Sequence, residues 1–97
     1  MKVTIPHNYT KEEAVLRIKS LLTELKTKYA DRIRNVEENW EGNTGNFSMS
    51  LGSFSASGTI DVHPSDIEVN IDLPVFASMF SKQISNLIEE QAKKVLS

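Results

Sequence analysis

A carboxylate stands where the chain otherwise asks for an apolar side chain. Val36 and Trp40 share one phase of a strand pattern, and Glu38 falls between them. An uncompensated carboxylate on a buried face would raise its pKa or unfold the domain. Three arrangements would satisfy it. A bulge can turn Glu38 out, an edge strand can carry it inward as a guard against aggregation, or Glu38 and Trp40 can line a cavity that receives a polar group of a ligand. A second set of carboxylates, Asp61, Glu68 and Asp72, falls on the polar phase of two later strands. If Ile60 opposes Val69, then Asp61 faces Glu68, which marks a cation site, a shared-proton pair or an exposed repulsion damped by water and salt. His7 and His63 each sit at an expected strand end beside a proline. They can meet only if the first strand borders the one ending at His63; otherwise they are surface histidines flanking turns.

Other chemistry is missing from the sequence. With no cysteine there is no disulfide, zinc-thiolate site or thiol nucleophile. There is no phosphate-cradling glycine loop, no Gly-x-Ser-x-Gly elbow and no His-Glu-x-x-His pattern. No catalytic residue, metal site or cofactor is expected. The net charge of −2 is unevenly spread. From Lys11 to Arg34 seven bases face four acids, whereas from Asn35 to Leu73 there are seven acids and no Lys or Arg. An acidic, hydroxyl-bearing sheet repels phosphate, so nucleic acid is not an expected partner. The opening Met1-Lys2-Val3-Thr4-Ile5-Pro6-His7 lacks the apolar core of a signal peptide, and no later run is long enough to span a membrane. A cytoplasmic location is expected. The sequons at Asn8 and Asn46 read as chance matches.

The elements that must position these residues are legible. Apolar residues alternate at Phe47, Met49 and Leu51, at Ile60 and Val62, and at Ile67, Val69, Ile71 and Leu73. Strict alternation means a sheet with one buried and one solvated face. Val62 is expected to face Ile67 across a turn at His63-Pro64-Ser65-Asp66, which sets Ile60 against Val69 and Gly58 against Ile71. Leu51 is expected to face Ala56 across Gly52 to Ser55, which sets Met49 against Gly58 and Phe47 against Ile60. Thr10 followed by Glu13 is a capping-box pattern, with Tyr9 placed to staple against Ala14. Val15, Ile18, Leu22, Leu25 and Tyr29, widened by Leu21, then form one helical stripe. A second helix is expected from Pro74, presenting Phe76, Phe80, Ile84, Leu87 and Val95, flanked by Met79, Ile88 and Leu96. A short strand from Lys2 to His7 and another from Ile33 to Glu41, ending in a Gly42-Asn43-Thr44-Gly45 turn, complete the order β-α-β-β-β-β-α.

The expected fold is a single α+β domain over all 97 residues. Two amphipathic helices on one face of a mostly meander antiparallel sheet make a two-layer sandwich that satisfies every apolar face. The first strand joins at an edge. Phe76, Met79 and Phe80 add more apolar bulk than one helical stripe can hide, either as core and ordinary surface or as a patch for a partner or hydrophobic ligand.

Several local features together resemble a known family. A short strand ends in Ile5-Pro6-His7, Glu13-Ala14 opens the first helix, and Trp40 lies in the next strand. A Gly-Thr-Ile-Asp-Val strand runs from Gly58 to Val62, and Leu73-Pro74 leads into the last helix. The chain resembles the polyhydroxyalkanoic acid system family, small bacterial proteins named for association with storage-polyester genes. The resemblance implies a reduced helix-grip-like fold, with a sheet curling around a C-terminal helix and often enclosing an apolar cavity. It carries over no catalytic residues. The acidic connection from Trp40 to Phe47 is longer than the family pattern.

The reading is a non-enzymatic binding or accessory domain. Trp40, Glu38, Phe76, Met79 and Phe80 are the candidate ligand-binding residues, and the partner is a hydrophobic ligand, a polymer surface or a protein. A structural homodimer joined through sheet edges is one alternative. The other is a small hydrolase or isomerase of acyl or polyketide-type substrates, with Glu38 or Asp61 as base.

Overall fold

The first helix forms as its caps and stripe require. In the computed structural model, which describes residues 1–52 and 54–96 and their side chains except at 51 and 75–77, α1 spans Lys11–Lys28. The Thr10 hydroxyl accepts the Glu13 backbone N–H at 3.1 Å, which satisfies one of the free donors of the first turn. Glu12 and Glu13 lie near the positive end of the helix dipole, and Lys26 and Lys28 near the negative end. Ala14, Val15, Ile18 and Leu21 are buried. Arg17 binds Glu13 one turn back, lies over the Tyr9 ring and donates to the Val95 carbonyl, so α1 is tied to the C-terminal helix.

Five strands form one antiparallel sheet: β1 (Lys2–Pro6), β2 (Ile33–Glu41), β3 (Thr44–Leu51), β4 (Phe54–Val62) and β5 (Asp66–Asp72). The spatial order is β1-β5-β4-β3-β2, so β2 to β5 are a sequential meander and β1 closes on β5. The β4–β5 register is the expected one, with Val62 opposite Ile67, Ile60 opposite Val69 and Gly58 opposite Ile71. The β3–β4 register differs from expectation by two residues. Leu51 faces Phe54, Met49 faces Ala56, Phe47 faces Gly58 and Gly45 faces Ile60. A shift of two keeps every side chain on its own face, so the apolar pattern cannot resist it. β3 runs to Leu51 and β4 already begins at Phe54, with Gly52 at φ 63°. The expected turn at Gly42 to Gly45 likewise tightens, because Thr44 and Gly45 already belong to β3.

Both helices cover the same face. Val3, Ile5, Ile60, Val62, Ile67, Val69 and Ile71 form one buried cluster with Ala14, Val15, Ile18 and Leu21 of α1 and Ala92 and Leu96 of the last helix. The α+β sandwich therefore stands as the alternation requires. The C-terminal segment departs from expectation. A tight 310 turn occupies Val75–Phe80 after Pro74, and the α-helix, α2, spans Ser81–Leu96. The Ser81 N–H bonds to Ser78, one residue short of an α-helical step. α2 lies closest to α1 and β1, and its Ala92 and Leu96 share the core with Ile60, Ile67 and Val69 of the middle strands. Ile84, Ile88 and Val95 pack against that core, whereas Leu87, expected on the inner stripe, is 47% exposed.

Candidate functional site

Glu38 lies on β2, an edge strand whose pairing with β3 is interrupted between Arg34 and Glu37. Asn35, at φ 54°, takes the left-handed conformation that asparagine tolerates better than most residues. This bulge precedes Glu38 and does not turn it out. The half-buried Val36, Glu38 and Trp40 form the phase opposite the exposed Glu37, Asn39 and Glu41. Glu38 is satisfied there by two donors. Lys26 Nζ reaches Oε1 at 2.8 Å, and Trp40 Nε1 donates to Oε2 at 2.9 Å. Lys19 stands 5.3 Å above the indole ring. Burial pushes the Glu38 carboxyl up, but the hydrogen bonds from Lys26 and Trp40 and the charges of Lys26 and Lys19 outweigh it, so its pKa falls below the ordinary value. Glu38 thus sits on the inward phase of an edge strand, and it also borders an open pocket with Lys26, Val36 and Phe47. A carboxylate with both oxygens engaged and a lowered pKa is a poor general base at neutral pH. The lysine that secures it was not among the sequence candidates, because finding it requires the packing of α1 on the sheet.

The indole rests on glycine. A Cβ at Gly45 would lie 2.8 to 2.9 Å from three indole atoms, so only a bare backbone lets Trp40 lie flat on its cross-strand partner. Gly58 makes similar room in the adjoining row, under the Phe47 ring and against the Asn70 carbonyl. Aromatic side chains covering glycines of a neighbouring strand pin register where glycine alone would leave it loose.

Asp61 does face Glu68, as the register predicts. The two carboxylates are drawn to different partners. Asp61 accepts the Thr44 hydroxyl at 2.9 Å, while Glu68 binds Lys2 at 3.1 Å and Asn70 at 3.3 Å and approaches His63 at 3.5 Å. Hydrogen bonds from Lys2 and Asn70 hold the Glu68 carboxyl below the usual range, so the pair is not a shared-proton site.

His7 corrects the surface reading, for it is 5% exposed. Its Nε2 lies 2.8 Å from the His63 carbonyl, and its Nδ1 accepts the Tyr9 N–H at 3.1 Å. These partners assign a neutral ring with the proton on Nε2. β1 borders β5 rather than β4, so the two histidine rings are not joined; the link runs from the His7 ring to the His63 backbone. Among the described residues no three His, Asp, Glu or Cys side chains are grouped to hold a metal.

Met79 and Phe80 are 74% and 52% exposed at the end of the 310 turn. The Phe76 side chain lies outside the described residues. Among the described residues the turn neighbours α2, whose own close neighbours are α1 and β1, so Trp40 and Glu38 on β2 are not brought together with Met79 and Phe80. The candidate residues divide between two places. One is a tied charge cluster at the β2 edge; the other is an exposed apolar projection, which Leu87 on α2 joins.

The family model described as "Putative polyhydroxyalkanoic acid system protein" matches residues 1–96. No curated protein and no solved structure matches the chain.

Proposed function

The chain belongs to the polyhydroxyalkanoic acid system family, and on that premise we propose that it is a non-enzymatic accessory domain that docks on an apolar surface, the storage-polyester granule. One observation carries this reading. Met79 and Phe80 on the 310 turn and Leu87 on the outer side of α2 are exposed, while the polar positions Lys82, Asn86, Glu90 and Lys93 on the same segment are also exposed. Such a segment lies in an interface with its apolar side down and its charges in water. Burying each large apolar side chain contributes on the order of 1.5–3 kcal/mol. Three together offset much of the cost of immobilising a small domain on a surface. The enzyme alternative gains nothing from Glu38, whose two oxygens are both engaged. A dimer paired through β2 must contend with a bulge and an inward charge on that strand, both devices that discourage strand addition.

Co-sedimentation with polyhydroxyalkanoate particles tests the proposal. The wild-type protein should pellet with the particles, while Met79→Asp and Leu87→Asp should leave most of it in solution with unchanged thermal melts. Trp40 emission serves as a control for the fold, since the indole lies away from the docking segment. Pelleting that both variants retain, or a wild-type protein that stays in solution, would overturn the proposal.

A further inference from the structure

The corner where β1 meets α1 is held by a buried histidine whose bonds depend on its charge. His7 follows β1 and is 5% exposed. Its backbone N–H donates to the Ser65 carbonyl, and its Nε2 lies 2.8 Å from the His63 carbonyl, so backbone and ring both grip the β4–β5 turn. On the other side of the ring, Nδ1 accepts the Tyr9 N–H at 3.1 Å. Tyr9 precedes Thr10, the N-cap of α1. One imidazole therefore ties together the end of β1, the turn and the start of the helix.

Only the neutral ring makes this set of bonds. A protonated imidazole has two donors and no acceptor, so its Nδ1–H would point at the Tyr9 N–H. Nothing at the corner compensates the charge. Among the described residues no carboxylate is paired with the His7 ring, whereas the His63 ring reaches Glu68 at 3.5 Å. Asp66 stands opposite Pro6, on the other phase of the strand. The Tyr9 ring stacks on His7 at 6.5 Å, and the Arg17 guanidinium lies 4.1 Å from the Tyr9 centroid. Arg17 is bonded to Glu13 and to the Val95 carbonyl of α2, whose last turn carries Lys93 and Lys94. A proton on His7 thus brings a cation to a corner already lined by cations, and it breaks a buried hydrogen bond.

We propose that His7 is an acid-sensitive latch on the N-terminal strand, whose protonation releases Tyr9 and loosens the corner formed by β1, the β4–β5 turn and the start of α1. The inference does not rest on granule docking.

NMR of the imidazole nitrogens and urea unfolding between about pH 7.5 and 5.5, above the range in which carboxylates titrate, provide the test. At the upper pH the His7 ring should carry its proton on Nε2 and leave Nδ1 bare. On acidification the Tyr9 and Ser65 amides should shift together with the ring. An imidazole in water takes a proton at about pH 6.5, so the unfolded chain binds more protons than the latched fold and stability falls with pH. The folding equilibrium constant should drop by roughly three- to tenfold over this range. His7→Gln should remove that drop, and His63→Gln should leave it in place. The ring and amide readouts use the wild-type protein, so they decide the matter even if His7→Gln does not fold. A ring proton on Nδ1, a His7 titration that leaves the Tyr9 amide unmoved, or an equal pH dependence in His7→Gln would overturn the proposal.

Discussion

Replacing Gly45 by alanine sets the seating of Trp40 against the strength of its anchors. The new methyl would stand 2.8 to 2.9 Å from Cε2, Cδ2 and Cζ2 of the indole. Carbon atoms reach optimal contact near 3.5–4.0 Å, so the ring has to retreat by roughly 0.6–1 Å. It is not free to do so, because Nε1 is bound to Glu38 at 2.9 Å. Overpacking of this kind costs about 1–3 kcal/mol, and a hydrogen bond to a charged group contributes about 1.5–3 kcal/mol. Reduced freedom of the unfolded chain returns only about 0.4–1 kcal/mol. The expected net loss is about 2–4 kcal/mol. With a urea m-value of about 2 kcal/mol/M, the unfolding midpoint should fall by roughly 1–2 M. Trp40 is the only tryptophan in the chain, so its emission follows both the midpoint and the local environment. A native emission maximum shifted to the red should accompany the lower midpoint. An unchanged midpoint with unchanged emission would show that the indole does not rest on Gly45.

Two further perturbations address the tied polar groups. The folded pKa of Glu38 lies below its reference of 4.5, so its contribution is complete above that pH and is lost as pH falls through the folded value. Thermal melts should therefore show wild-type stability declining below about pH 4.5 more steeply than that of Glu38→Gln, and parallel declines would refute the carboxylate's role. His7→Phe keeps the bulk but leaves the His63 carbonyl and the Tyr9 N–H without their partners, at a cost of about 2–4 kcal/mol in chemical denaturation. A variant as stable as the wild type would show that the ring is only filler.

What the sequence reveals depends on whether a wrong answer would expose apolar surface. The β4–β5 register is legible because the turn around Pro64 fixes the spacing between Val62 and Ile67, and both strands alternate strictly. The β3–β4 register is not, since a slip of two residues among serines and glycines leaves every phase intact. Glu38 announces itself as a residue out of pattern. Its partner Lys26 does not, because a lysine in the last turns of a helix looks like ordinary surface until the helix is placed on the sheet. His7 misleads for the opposite reason. A histidine after a proline at a strand end reads as exposed, and only the return of β5 beside β1 buries it. The surplus of Met79 and Phe80 is visible in the sequence, but not its distance from Trp40, which follows from α2 crossing to the β1 side.

The closure of β1 onto β5 imposes an order of events on synthesis. His7 leaves the ribosome ahead of the carbonyl it holds, which belongs to His63, 56 residues later. At about 5–20 residues per second the first strand waits roughly 3–11 s for that partner to be made. Until then Val3 and Ile5 have no strand beside them, and α1 has no sheet to cover. The meander can pair as it emerges, hairpin by hairpin, since each of its strands follows its neighbour. β1 is thus translated before the other strands of the sheet and among the last of them to be placed, and of these strands it is the one that a nascent-chain chaperone has the longest time to hold.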